Sequence, residues 1–214
     1  GNTIKFLDHH LNWEDASYGY VYPEVDGVPV RTRSSGGSNY NPYWGEYYLV
    51  NKIPEGCSWA WKTENHGGMA NGYALYVDGT SEPGLVASIS TKATVCSGQT
   101  MYCSMWLNNV SNDGNASAVD PVFRCNIQGR NSDDDPWEDV GVFFVGALRQ
   151  NDGKWSQINF PVLSDKESYA QTRVSIYNFA TSAGGNDFMI DDICLYVSPL
   201  SLAAYQATMG CRSA

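Results

Sequence analysis

Apolar and polar residues alternate along most of the chain, with the period of two that sends successive side chains to opposite faces of a β-strand. In segment 101–110 the alternation sets Cys103, Met105 and Leu107 on one face and Tyr102, Ser104, Trp106 and Asn108 on the other. Segment 121–127 groups Phe123, Cys125 and Ile127 in the same way. "GEYYLVN", "GYALYVDG", "WSQINFPV" and "TRVSIYNF" read as further strands, and segment 187–197 is the last strong one. Segment 140–148 is nearly continuous and apolar, which predicts a strand buried on both faces. Turn chemistry separates these runs: "PEG" at 54–56, "NDGN" at 112–115, "QNDGK" at 150–154 and "SAGGND" at 182–187. Many short strands between regular turns predict an all-β fold, a jelly-roll β-sandwich of two antiparallel sheets. The expected domain runs over 1–198, with 1–44 rich in loops. Residues 199–214 form a tail, and 199–209 alone has helical composition.

Composition narrows the class of partner. The chain of 214 residues carries 13 Lys and Arg against 23 Asp and Glu, a formal charge of -10. Phosphate binding needs clustered basic residues, so nucleic acid is excluded as a partner, and anionic membrane surfaces are disfavoured. No stretch approaches the roughly 18 apolar residues of a membrane span, so this segment is not expected to insert. The first residue is Gly rather than Met, and the sequence stops abruptly at "ATMGCRSA". A trimmed fragment of an exported, extracellular or cell-surface protein is expected, its signal or anchor lost. Six cysteines, Cys57, Cys96, Cys103, Cys125, Cys194 and Cys211, include no CxxC pair, which disfavours zinc. Buried free thiols and a disulfide both remain open for them.

Catalytic patterns are absent: no GxSxG elbow, no HExxH helix and no phosphate-binding GxxxxGK loop. β-Sandwich glycoside hydrolases need two acidic groups about one bond, commonly two Glu alternating on a strand, and no two Glu here are so placed. The chain is therefore read as no enzyme, with a spatially assembled glycoside hydrolase as an alternative. Segment 132–139, "SDDDPWED", gathers five carboxylates around Trp137 as a calcium loop or, more simply, a solvated acidic loop. His9 and His10 are adjacent, and neighbours on a strand face opposite ways.

Aromatic residues carry more. The chain has 7 Trp and 14 Tyr, more than one core needs. Sugar rings stack their C–H faces on aromatic rings, and Asn, Asp and Gln bond their hydroxyls. Tyr40, Tyr43 and Trp44 lie with Asn39 and Asn41 in one loop; Trp59 and Trp61 alternate in "CSWAWK" and so share a face. With Trp137 these are the candidate ligand-binding residues, with core or rim packing as their plainer role.

Four pieces in order resemble one family: "NGYALYVDGTSEPGLVAS", "CSGQTMYCSMWLNNV", "GKWSQINF" and the closing "GGNDFMIDDICLYV". From 45 to 197 the chain is similar to a jelly-roll domain of surface and adhesion-like proteins of Bacteroidetes, related to the galactose-binding-like carbohydrate-binding modules. Cys103 departs from that pattern, which has an aromatic or aliphatic residue there, and the first 40 residues match only loosely. The resemblance implies an exported non-catalytic module that binds carbohydrate or another surface protein, or serves as a structural spacer in a larger surface protein. It also implies one structural calcium at the closing signature, held by Asp191 or Asp192 with Asp8 as the N-terminal candidate. From the residues alone, Asp191 and Asp192 are neighbours and face opposite sides of a strand; an inward one can instead cap backbone amides at a bulge.

Overall fold

The computed structural model describes residues 24–25, 28–29, 47–53, 57–68, 74–92, 100–112, 118–163 and 169–197. These residues hold eleven strands and no helix. The strands are β1 (Glu24–Val25), β2 (Val28–Pro29), β3 (Tyr47–Val50), β4 (Ala74–Val77), β5 (Gly84–Thr91) and β6 (Met101–Asn109). They continue as β7 (Val122–Arg130), β8 (Glu138–Ala147), β9 (Ser156–Leu163), β10 (Gln171–Asn178) and β11 (Phe188–Val197). β1 and β2 form a small pair of their own. The rest make a four-stranded sheet, β5-β10-β7-β8, and a five-stranded sheet, β3-β4-β11-β6-β9, with every pairing antiparallel. The expected all-β fold of two antiparallel sheets is present.

The alternation explains how the sheets meet. Met101, Cys103, Met105 and Leu107 of β6 pack into one cluster with Phe123, Cys125 and Ile127 of β7 and with Val174 and Ile176 of β10. Rings lock the two layers together: Phe143 of β8 stacks on Phe160 of β9 at 4.2 Å between centroids, and Phe123 meets Phe188 edge-on at 4.8 Å. Each such side chain, fully buried, contributes roughly 1.5–3 kcal/mol. Cys103 and Cys125, both in the core, are free thiols. Burial pushes Cys125 up to about 12 and holds Cys103 well above the ordinary thiol range, so both act as small apolar core residues. Cys96 and Cys211 lie outside the described residues, as does the expected helical segment 199–209.

Two expectations need correction. Segment 140–148 is not buried on both faces. It forms β8, the last strand of its sheet, and its outward side chains Val142 and Phe144 are 52% and 72% exposed. An apolar run looks the same whether its second face meets protein or a vacant surface. Asp191 and Asp192, in turn, do not face opposite sides. The register of β11 against β6 jumps from Asp191↔Trp106 to Cys194↔Ser104, an extra residue on β11, and Asp192 takes a φ of 48°. This bulge breaks the alternation and brings both carboxylates to His66.

Candidate functional site

The sandwich has two outer faces, and the candidate residues divide between them. The outer face of the five-stranded sheet is covered. Val50, Ile53, Cys57 and Ala60 pack on Ala74, Tyr76, Val110 and Met189 in a second apolar cluster, with Trp59 and Trp155 against it. Trp59 and Trp61 lie in an irregular segment rather than on a strand, both half-buried. Their backbones are tied down: Trp61 N donates to Val110 O at 2.7 Å, and Trp59 O accepts from Asn112 N at 2.6 Å.

Further along this face His66 stacks on Trp106 at 3.8 Å, and Trp155 meets the same imidazole edge-on at 5.8 Å. Trp155 Nε1 donates to Glu64 O at 3.2 Å. Asp191 accepts from two backbone amides, His66 N at 2.8 Å and Asp192 N at 2.7 Å, while Asp192 Oδ2 lies 2.8 Å from His66 Nδ1. Desolvation raises the Asp191 carboxyl to about 6 despite those two amide donors. Asp191 thus caps amides at a bulge, the simpler of the two roles its sequence allows. Among the described residues no three His, Cys, Asp or Glu side chains form a group suited to a metal ion. Asp8, Tyr40, Tyr43 and Trp44 lie outside the described residues.

The outer face of the four-stranded sheet is built differently. Cross-strand register arranges its outward side chains in rows, each running over β5, β10, β7 and β8. The middle row is Ser88, Ser175, Asn126 and Val142. On one side of it stands the row Leu85, Tyr177, Arg124 and Phe144; on the other stand Ser90, Arg173, Gln128 and Asp139. Short serines between rows of long side chains make a groove across the strands. Its length is three strand spacings, roughly 14 Å, and the rows on either side are four residues apart, roughly 13 Å.

The two sides of the groove differ in what they have satisfied. On one side Trp137 has Arg130 and Arg173 each 4.5 Å from its ring centroid. Arg130 Nε donates to Gln171 Oε1, Nη1 to Asp133 O and Nη2 to Asp133 Oδ1, at 2.9, 3.0 and 3.0 Å. Arg173 Nε and Nη2 both donate to Gln128 Oε1, at 2.9 and 2.6 Å. Asp133 also accepts from Gln171 Nε2 and Lys92 Nζ, and these donors hold its carboxyl below the usual range. Segment 132–139 is therefore anchored by an ion-pair network at Asp133 as well as being exposed to solvent.

On the other side the Arg124 guanidinium lies 4.3 Å from the Phe179 ring centroid and 5.4 Å from that of Tyr177. Six buried side-chain polar atoms in the described residues have no hydrogen-bond partner, and three of them, Ser88 Oγ, Arg124 Nε and Asn126 Oδ1, share this face. Leaving a buried polar atom unpaired costs about 1–3 kcal/mol, so a cluster of them points to a bound water or ligand. Arg124, Asn126 and Phe144 were not among the residues expected from sequence. The alternation of β7 does set Arg124 and Asn126 opposite the core residues Phe123, Cys125 and Ile127, and that signal could have found them.

No protein-family model matches the sequence, and no curated protein is similar to it. Among solved structures the chain is similar to Fisc, a Stig cyclase from Fischerella sp. TAU, solved in complex with (3Z)-3-(1-methyl-2-pyrrolidinylidene)-3H-indole. That likeness has a TM-score of 0.52 and 11% identity, over 78% of this chain and 82% of the cyclase. A family 16 carbohydrate-binding module is similar at a TM-score of 0.35 and 13% identity, over 58% of this chain and 77% of the module. A CBM4 structure is similar at 0.36 and 16%, over 58% and 71%. At 11% identity the likeness to the cyclase is one of fold.

Proposed function

We propose that the chain is a non-catalytic glycan-binding module of an exported surface protein, adhesive in role, and that the groove on the four-stranded sheet is its site. One observation carries this reading. Exposed Phe144 and half-buried Tyr177, Phe179 and Trp137 line the same strip as the unpaired polar atoms of Ser88, Arg124 and Asn126. Aromatic faces beside amide and hydroxyl groups are what a sugar ring requires, and an apolar side chain held in solvent is unfavourable unless it is used. The surface setting, of the Bacteroidetes type that the closing signature resembles, belongs to the same proposal.

A glycan array with the intact protein tests it. At least one hit is expected, lost on Phe144→Ala or Trp137→Ala with an unchanged melting temperature. No hit on a broad array would remove the reading and leave a structural spacer. Turnover of any polysaccharide, abolished by replacing one carboxylate, would replace it with a glycoside hydrolase. A structural calcium at Asp191, with Asp8 as a further ligand, is carried as part of this proposal. Such an ion competes with the two amide donors that Asp191 already accepts. Chelator should then lower the melting temperature, since a ligand held only by the folded state stabilises it. An unchanged melt with no metal by elemental analysis removes the ion.

A further inference from the structure

We infer that the Arg124 side of the groove is a subsite for an acidic group carried on a glycan, so that the preferred ligand is an acidic rather than a neutral saccharide. The inference rests on the glycan-binding reading and names the class of sugar. It begins from a contrast among three arginines on one face. Arg130 and Arg173 each lie against Trp137, and both direct their N–H groups to acceptors within the protein, Asp133 and Gln171 for one and Gln128 for the other. Arg124 is held by aromatic faces in the same manner, yet among the described residues no acceptor meets its guanidinium, and its Nε is buried and unpaired.

A guanidinium stacked on rings keeps its N–H edge free, because the donors lie in the plane and the rings lie above or below it. That edge is a planar fork matched to the paired oxygens of a carboxylate or a sulfate. The contacts with Phe179 and Tyr177 hold the guanidinium in place before a ligand arrives, so little side-chain freedom is lost on binding. Asn126, two residues along β7, holds its unpaired Oδ1 buried on the same face. Phe144, directly across from Arg124 on β8, offers a face for the ring that carries that group.

The overall charge of -10 opposes an anionic ligand at long range. The Debye length is about 8 Å at physiological salt. The groove's own carboxylates, Asp133, Glu138 and Asp139, belong to the opposite side. Gln128, which holds Asp139, is four residues from Arg124 along β7, roughly 13 Å, beyond that screening length. The groove is therefore polarised across its width, cationic at Arg124 and acidic at Asp139.

Calorimetry with three oligosaccharides of equal length tests this: an oligogalacturonate, its carboxyl-reduced neutral counterpart and a sulfated galactan. The acidic forms should bind the wild-type protein at least tenfold more tightly than the neutral one, with an affinity that falls as salt rises. Tight binding of the uronate alone, the sulfate alone or both supports the subsite and identifies its group. Arg124→Gln should erase the preference without weakening the neutral sugar, and Arg124→Lys should restore it only in part. Should those variants fail to fold, the wild-type series still decides. Equal binding of acidic and neutral forms overturns the inference and leaves the glycan-binding reading standing; binding of none of the three, with no hit on the array, removes both.

Discussion

The two outer faces of the sandwich hold the same kinds of residue and put them to opposite uses. On the five-stranded sheet, Trp106, His66 and Trp155 pack on one another, the Trp155 N–H has a carbonyl, and both oxygens of Asp191 have amides. On the four-stranded sheet, Phe144 stands in solvent and Arg124, Asn126 and Ser88 hold polar atoms that nothing meets. Aromatic residues near amides therefore do not mark a binding site by themselves. What separates the faces is cover: Tyr76 Oη and Asn108 Oδ1 on the covered face are unpaired as well, but the aromatics around them are packed, whereas on the four-stranded sheet the unpaired atoms share their face with the exposed Phe144.

The largest expected effect is on the covered face. Trp106→Ala removes the stacking partner of His66 and should lower stability by about 3 kcal/mol, read as a denaturation midpoint. Glycan affinity should not change, and a parallel loss of binding would show that the two faces are coupled. Next comes a matched pair of glycines. Gly153 and Gly146 both have positive φ, 69° and 82°. A Cβ on Gly153 meets Thr63 Oγ1 and Trp61 Cβ, each at 2.8 Å, whereas one on Gly146 meets nothing within 4 Å. Gly146→Ala should cost about 1 kcal/mol of backbone strain, and Gly153→Ala about 2–3 kcal/mol because the clash adds to it. Equal costs would mean that the covering loop yields freely.

Phe144→Ala should shift stability by less than about 0.5 kcal/mol, since that side chain is already in water. Its effect belongs to binding, a loss of about tenfold or roughly 1.4 kcal/mol. The smallest effect is electrostatic. Burial raises Asp191 from 3.8 to about 6, so between those values the native state holds a proton that the unfolded chain releases. Its stabilising contribution is fully present below pH 3.8 and is lost as pH rises through about 6. The size is on the order of 1 kcal/mol once solvent screening is allowed for. The difference in stability between the wild type and Asp191→Asn should follow that slope in melts from pH 4 to pH 7. A slope of opposite sign would indicate a cation bound to the ionised carboxylate.

The strand pattern was legible where one face is buried and the other wet. β6 and β7 alternate in sequence as they do in burial, because burial imposes the period. β8 misled because Val142 and Phe144 are as apolar as Phe143 and Val145, and no local signal tells core from vacant surface. The bulge at Asp191 and Asp192 was foreseen as one of two options, but its consequence, Asp191 on the backbone amide and Asp192 on the ring of one histidine, depends on a partner 125 residues away. Trp137, singled out from composition, lies against Arg130 and Arg173 of the four-stranded sheet. Trp59 and Trp61, found in the same way, lie on the other side of the sandwich, since single-residue chemistry does not record which sheet a loop crosses.

The position of β11 bears on when the fold can form. That strand occupies the centre of the five-stranded sheet, between β4 and β6, and pairs Ile190 with Leu75. Until it emerges, β3 with β4 and β6 with β9 are separate ribbons with no common partner. From the end of β4 at Val77 to the end of β11 at Val197, at synthesis rates of about 5–20 residues per second, that wait is roughly 6–24 seconds. Over that interval the nascent chain remains threadable through a narrow passage, and the sandwich closes only when its last strand arrives.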